Sequence, residues 1–370
     1  MSAATTTPAT KPDPNETDAP AALLQIVQQA IKAQASDIHL QMRGSDAEVS
    51  FRLDGVLATI TTLPAPLAER VFGRIKFLAR LKTYQDSMPQ DGRIERAELA
   101  SPYDLRVATY PTVTGEKIVL RLFNIATTKT IRELEIPDSA ATELESFLRQ
   151  SAGLLLLTGP AGSGKTTTIY ACLRHLAELG GRHIITVEDP VEQVIPGIMQ
   201  TEINEAIGLD FARAARHLLR QDPQVLVIGE IRDEATAQLA VRAGLTGHLV
   251  ISTLHAGSCQ GVLERLLTLC PDHSAVAAAL ELVVNQRLLR RLCSHCGGKQ
   301  CERCFQTGYA GRLPVLEWLR LTDELRAKVR SHSIETIQPQ RPLTAAARDL
   351  LQQGRSNQTE LQRVLGLYEN

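Results

Sequence analysis

A chain of 370 residues is long enough for two domains, and at 44% hydrophobic residues it can bury a sizeable core in each. Lys+Arg at 40 against Asp+Glu at 41 gives a formal net charge of -1, so no global basic excess argues for nucleic acid. No apolar run is long enough to span a bilayer, and the N-terminus lacks a basic-then-apolar signal pattern. The seven cysteines, four of them within 293–304, do not form a secreted disulfide framework. A cytoplasmic protein is expected, with any membrane contact peripheral.

Residues 1–20 are rich in Ala, Thr and Pro with little to bury, and read as a disordered tail. From Ala21 the pattern changes: Leu23, Leu24, Val27 and Ile31 form one apolar helical face. Ser36 to Leu40 reads as a strand entry, Val49, Phe51 and Leu53 alternate, and Asp54-Gly55 marks a hairpin turn before Val56. Pro64 and Pro66 open a second amphipathic helix carrying Leu67, Val71, Ile75 and Leu78, and strand-like pieces follow at 92–99, 103–110 and 117–123. Together, 21–123 is expected to be a small α+β domain, and 124–136 a linker.

A second domain is expected over 137–370. Asp138 or Ser139 can cap a helix running to Gln150, and apolar strands at 154–157, 183–188, 225–228 and 249–253 alternate with helices. That alternation predicts a parallel sheet covered on both faces. The cysteine element interrupts it at 293–312, and 320–370 reads as mainly helical and charged.

Between the first of these strands and its helix lies Gly159-Pro160-Ala161-Gly162-Ser163-Gly164-Lys165-Thr166, followed by Thr167. It fits G-x-x-x-x-G-K-[ST], and strand, glycine loop and helix together aim backbone N–H groups and a positive helix end at phosphate. Lys165 is expected to reach the outer phosphates of ATP and the Thr166 hydroxyl to sit on Mg²⁺. Hydrolysis needs more: a carboxylate near the attacking water and cations near the developing charge, all at the carboxyl ends of strands. Glu230, after the strand at 225–228, is the candidate for water activation and Mg²⁺; the alternative is a carboxylate serving a helix start. Glu188 is a second polar candidate for the Mg²⁺ or the water, while His248 and His255 can sense the γ-phosphate or tie neighbouring elements together.

These motifs, in this order, resemble the secretion ATPase superfamily of type II secretion and type IV pilus assembly. The match covers about 21–320, with Walker A at 159–166, an Asp box at 186–192, Walker B at 225–233 and a His box at 248–255. In the first domain, Ser36-Asp37-Ile38-His39, Arg52 to Val56, Pro89 to Arg93 and Thr112 to Arg121 resemble the domain preceding that family's ATPase core. The resemblance implies a RecA-like core behind a small PAS-like α+β domain, and a homohexameric ring at an inner-membrane platform. It further implies arginines reaching the nucleotide: Arg93, Arg106 and Arg121 from the first domain, Arg220 and Arg232 from the second. A competence-pilus or DNA-translocating ring ATPase, and a nucleotide-gated scaffold without productive hydrolysis, are the other readings; no specific nucleic acid is expected. The additional N-terminal docking domain of many members has no counterpart before residue 21.

Cys293-Ser294-His295-Cys296 and Cys301-Glu302-Arg303-Cys304 are two C-x-x-C pairs. Four thiolates so spaced suit structural Zn²⁺, the alternative being free thiols or disulfides. The resemblance implies the same element in secretion and pilus-extension members, followed by a Thr-Gly-Tyr-x-Gly-Arg run, here 307–312. The gap of Gly297-Gly298-Lys299-Gln300 departs from the family in being short.

Overall fold

The structure is a computed structural model that describes residues 18–102, 104–122 and 129–366; the expected tail lies mostly, and the expected linker partly, outside them. Two compact units divide the chain: residues up to 124 with 293–309, and 125–292 with 310–370.

The first unit is a six-stranded antiparallel sheet with two helices, α1 (Ala19–Lys32) and α2 (Ala65–Leu78). Its strands are β1 (Asp37–Met42), β2 (Asp46–Leu53), β3 (Val56–Pro64), β4 (Gln90–Ile94), β5 (Leu105–Thr112) and β6 (Gly115–Leu122), in the order β3-β2-β1-β6-β5-β4. The alternation of Val49, Phe51 and Leu53 turns those side chains onto a core shared with Leu23 and Val27 of α1 and Val71 and Ile75 of α2. Asp54 and Gly55 join β2 to β3 with φ of 49° and 87°, the left-handed pair of a two-residue hairpin. The strand expected over 92–99 stops at Ile94, and Arg96–Leu99 winds into a 3-10 turn. Asp104 is the reason: its Oδ1 accepts from the Arg96 amide at 2.7 Å and its Oδ2 from Arg93, drawing the chain out of the ladder.

The second unit contains α3 (Asp138–Leu148), β7 (Gly153–Thr158), α4 (Lys165–Leu179), β8 (Ile184–Glu188), β9 (Met199–Glu202), α5 (Phe211–Leu218) and β10 (Val225–Ile228). It continues with α6 (Glu234–Leu245), β11 (Leu249–Thr253), α7 (Cys259–Leu269), α8 (His273–Ala279), β12 (Leu280–Leu292) and β13 (Tyr309–Arg320), and ends in α9 (Asp323–Arg330), α10 (Leu343–Gln352) and α11 (Gln358–Leu365). The sheet order is β13-β12-β7-β11-β10-β8-β9, and every pairing from β12 to β9 is parallel. The apolar run of β7 is explained by burial on both faces. Leu154 and Leu156 enter the core beneath α6 and α7, and Leu155 and Leu157 the core beneath α3 and α4.

The sequence reading lacked β9, β12 and β13. The cysteine element issues from the end of β12 and returns into β13, so it is an excursion from the sheet rather than its end. Beyond β13 the helices are as expected. Glu360 of α11, with no exposed surface, fastens that helix to β12: it accepts from the Arg290 amide and Nε at 2.9 Å each and from Arg363 Nε at 2.8 Å. Burial raises its pKa, but the Arg363 and Arg290 hydrogen bonds outweigh burial and leave it below the ordinary value. A carboxylate with a depressed folded pKa contributes stability above its unfolded pKa and loses it as pH falls through the folded value. Glu360→Ala is therefore expected to lower stability by about 3–5 kcal/mol at pH 7. In thermal melts that gap between parent and variant should shrink below about pH 4, the ordinary range for Glu.

Candidate active site

The phosphate loop leaves β7 at Thr158 and enters α4 at Lys165. Gly159 sits at φ 137° with its Cα against β12: a side chain there would place Cβ 2.3 Å from the Gln286 carbonyl and 2.7 Å from Ser163 Oγ. The cap of α4 is Gly164 at φ 90°, which offers no side-chain acceptor, so the first-turn amides of the helix have no cap from it. Lys165 Nζ donates to the carbonyls of Gly159 at 2.8 Å and Pro160 at 3.0 Å. Burial and the nearby Arg287 lower the Lys165 pKa, against the pull of Glu230. Ser163 Oγ is buried without a hydrogen-bond partner among the described residues, the kind of orphaned donor a phosphate oxygen satisfies. Thr166 and Thr167 are half-buried in the first turn of α4.

Around the carboxyl ends of the parallel strands the side chains form a connected set. Glu230, one residue past the Gly229 that ends β10, accepts from Arg232 Nε at 3.1 Å, and its other oxygen lies 3.0 Å from His255 Nε2. Arg232 also reaches Asp189 at 3.5 Å, and its guanidinium stands 5.4 Å from the Phe211 ring centroid. Ser252 and Thr253 fix the spacing of the two strand ends by donating to the carbonyls of Ile228 at 2.7 Å and Gly229 at 2.8 Å.

Three expected residues lie elsewhere or are otherwise engaged. His248 precedes β11, and its carbonyl accepts from Gly153 at the start of β7; in a parallel sheet that is the end opposite the phosphate loop. Arg220 follows α5 and precedes Val225 at the same far end. Glu188 is buried at the correct strand end, but its carboxylate is occupied by Tyr170, by Thr186 and by Gln200 Nε2 at 3.0 Å. Burial first, and then that carboxylate, push the Tyr170 phenol pKa up, which keeps it a donor. Glu188 thereby ties α4, β8 and β9 together, while its neighbour Asp189 reaches Arg232 alongside Glu230.

In the first unit, Arg93, Arg106 and Arg121 are direct cross-strand partners, Arg93↔Arg106 across β4–β5 and Arg106↔Arg121 across β5–β6. Asp37 extends the row, opposite Arg121 across β1–β6. Residues in register on adjacent strands share a face, so three guanidiniums stand side by side on an exposed surface. Asp104 accepts from Arg93, and Asp37 Oδ1 accepts from Arg121 Nε at 2.8 Å while Arg52 Nε lies 3.3 Å from Oδ2. Like charges directly opposed work against a sheet, and Asp104 and Asp37 offset the two ends of the row.

The residues that sequence reasoning missed are on β12. Asn285, Gln286 and Arg287 follow the apolar Leu282-Val283-Val284, and Asn285 pairs with Thr158 at the end of β7. Gln286 Oε1 accepts from Thr168 Oγ1 at 2.9 Å, so Gln286 backs the phosphate loop. A polar trio ending an apolar run is the same signal that pointed to Glu230.

Three comparisons show the family and the fold. Residues 16–365 match the family described as "Type II/IV secretion system protein". The chain belongs to that family. It is 38% identical over 353 residues to the type II secretion system protein HxcR of Pseudomonas aeruginosa, covering 92% of this chain and 75% of that one. The putative type II secretion system protein E of Escherichia coli strain K12 is 40% identical over 330 residues, 82% of this chain and 67% of that protein. The type IV pilus assembly ATPase PilB of Thermus thermophilus is 39% identical over 346 residues, which are 85% of this chain but 39% of that longer protein. Among solved structures, the pilus retraction motor PilT with bound ADP is similar at a TM-score of 0.66 and 26% identity, covering 92% of this chain and 96% of that one. The Legionella pneumophila ATPase DotB, at TM-score 0.72 and 21% identity over 95% of this chain and 97% of its own, shares the fold.

Cys293, Cys296, Cys301 and Cys304 bring four sulfurs within 4.8 Å of one another. Separations of 3.9 Å for Cys293–Cys301 and Cys296–Cys304 and 3.6 Å for Cys301–Cys304 match the edge of about 3.8 Å that a tetrahedron of 2.3 Å Zn–S bonds requires. Burial raises the Cys304 pKa, but Cys301 N and Gly308 N, donating to its sulfur at 3.3 and 3.2 Å, bring it down to about 7. Burial pushes Cys301 up to about 11. Such a set is held together as thiolates by a cation, so the donors fit Zn²⁺. The short glycine-containing gap does not prevent this, because Gly297 and Gly298 turn at φ 59° and 90°. The element was expected within the second domain, but packing groups 293–309 with the first unit, whose core Phe305 touches. Metal analysis of the purified protein is expected to give about one Zn per chain, lost in Cys301→Ser/Cys304→Ser. Absent metal with four titratable thiols would refute the site.

Proposed function

We propose that this chain is a Mg²⁺-dependent ATPase that powers assembly of a type II secretion pseudopilus or a type IV pilus. It works as a homohexameric ring docked in the cytoplasm on inner-membrane platform or anchoring proteins. The observation that carries the reading is the convergence of Lys165, Glu230, Arg232 and His255 at one end of the sheet, where the phosphate loop lies. Family membership, relatives named for type II secretion and pilus assembly, and the four-cysteine element support the extension or secretion direction. No helix among the described residues is long and apolar enough to cross a membrane, which fits docking through partners.

The chemistry follows from the residues. Amides of 161–166 and the Ser163 hydroxyl receive the phosphates, and Lys165 exchanges two loop carbonyls for phosphate oxygens, regaining a counter-charge that its half-buried position lacks. Thr166 and Glu230 are the groups that would hold Mg²⁺, which supplies charge neutralisation at the β- and γ-phosphates. Glu230 accepts the proton of the attacking water, with Arg232 and His255 fixing its two oxygens. Arg93, Arg106 and Arg121 are the first domain's candidates to offer planar, permanent charge to phosphate. Glu188 acts indirectly, by holding Tyr170 and the loop that carries Asp189. His248 and Arg220, at the other end of the sheet, act outside this unit's own site.

Glu230→Gln is expected to keep ATP affinity within about threefold and to lower turnover at least about 10²-fold, the usual size of a general-base effect. Lys165→Ala should weaken nucleotide binding at least about tenfold, the size of one lost charge-assisted contact. Nucleotide titration and phosphate release separate the two, and undiminished turnover in either variant would sink the mechanism. The arginine row has a different signature: Arg106→Gln should lower turnover by about tenfold or more while leaving the melting temperature nearly unchanged, as for most exposed surface substitutions. A matching loss of stability would make Arg106 structural.

A further inference from the structure

The Arg287 guanidinium is half-buried beside the phosphate loop, yet among the described residues no carboxylate lies within ion-pair distance of it. Its hydrogen bonds go to neutral oxygens. Nη1 donates to Asn285 Oδ1 at 2.6 Å and to the Gln286 carbonyl at 3.0 Å, and Nη2 donates to the Gly257 carbonyl at 2.8 Å. Burial lowers its pKa. Glu317 pulls the other way at longer range, so the guanidinium itself is held in place by neutral oxygens.

Gly257 is two residues after His255, whose Nε2 lies 3.0 Å from Glu230. The loop between them is pinned from two sides. Thr158, at the end of β7, donates to the Ala256 carbonyl and accepts from the Ala256 amide, both at 2.9 Å. From β12, Asn285 Nδ2 meets the Gly257 carbonyl at 3.0 Å, on the same oxygen that Arg287 uses. His255 itself is exposed, and the contact given for its ring is the one to Glu230. Its position therefore depends on where Ala256 and Gly257 are fixed, and Arg287 is the one charged group that fixes them among these contacts.

We propose that Arg287 is a positioning residue: it clamps the His255–Gly257 loop to β12 and so holds His255 on Glu230 for water activation. A planar fork is required, because one guanidinium must reach the oxygens of Asn285, Gln286 and Gly257 at once; a lysine ammonium keeps the charge but not that geometry. The inference rests on the ATPase reading for its consequence in turnover, and on the loop contacts alone for the clamp itself.

The test uses the full chain and its Arg287→Ala, Arg287→Lys, His255→Gln and Arg287→Ala/His255→Gln variants. Amide hydrogen exchange of 254–258, measured without nucleotide, should rise at least about tenfold in both Arg287 variants while 154–157 of β7 stays protected. Turnover in Arg287→Ala should fall by about 10²-fold, the size of a roughly 1 Å misplacement, with KM for ATP changing less than about threefold. The double variant should be no slower than the worse single one, since both changes remove the same contribution. Unchanged exchange at 254–258, full protection restored by Lys, additive losses in the double variant, or a rise in KM at constant turnover would each overturn the proposal. If Arg287→Ala does not fold, Arg287→Lys carries the comparison. A parent chain that hydrolyses no ATP would remove the ATPase reading, and the exchange comparison would still decide the clamp.

Discussion

The second unit is organised by the lack of space between the phosphate loop and β12. Gly159 cannot carry a side chain, because the Gln286 carbonyl and Ser163 Oγ lie where its Cβ would be. The parallel pairing of β12 with β7 brings the backbone this close, and the same pairing carries Asn285 to the level of Thr158. One steric requirement therefore brings together the phosphate loop, the polar trio of β12 and, through Thr158 and Gly257, the loop bearing His255. The glycines of the motif are needed for this approach as much as for the turn.

Electrostatically, the site is loaded with cations before any ligand is present. Lys165 at the start of α4 and Arg287 on β12 act on each other and both have pKa values lowered by burial, with Glu230 pulling Lys165 the other way. The first unit repeats the pattern in another form, with three guanidiniums in register relieved by Asp37 and Asp104.

Much of this was legible in the sequence because it rests on local patterns. The runs at 225–228 and 249–253 are the strands β10 and β11 residue for residue, and Glu230 and His255 follow from the rule that sites lie at carboxyl strand ends. What was not legible depends on pairing across long separations. Residues 280–292 mix apolar and polar residues in a pattern that does not distinguish strand from helix, and only their place beside β7 turns Gln286 and Arg287 into site residues. His248 illustrates the reverse case. It falls inside a recognisable motif, yet a strand of five residues separates it from His255, and the direction of the chain puts it at the far end. The cysteine element was legible as a ligand set, but its grouping with the first unit depends on one contact, that of Phe305.

Glu188 and Glu230 show how environment divides roles between like residues at neighbouring strand ends. β8 and β10 are adjacent and parallel, so the two carboxylates emerge on the same side of the sheet. Glu188 is the last residue of its strand, and its alternation takes it inward, where Tyr170, Thr186 and Gln200 use up its acceptor sites. Glu230 follows Gly229, whose small size lets the Phe211 ring and the Val187 carbonyl crowd the strand end and turns the next residue outward. A carboxylate that already accepts from a phenol, a hydroxyl and an amide has little capacity left for a water proton. One held by Arg232 and His255 keeps an accessible edge, the feature that the proposed general-base role uses.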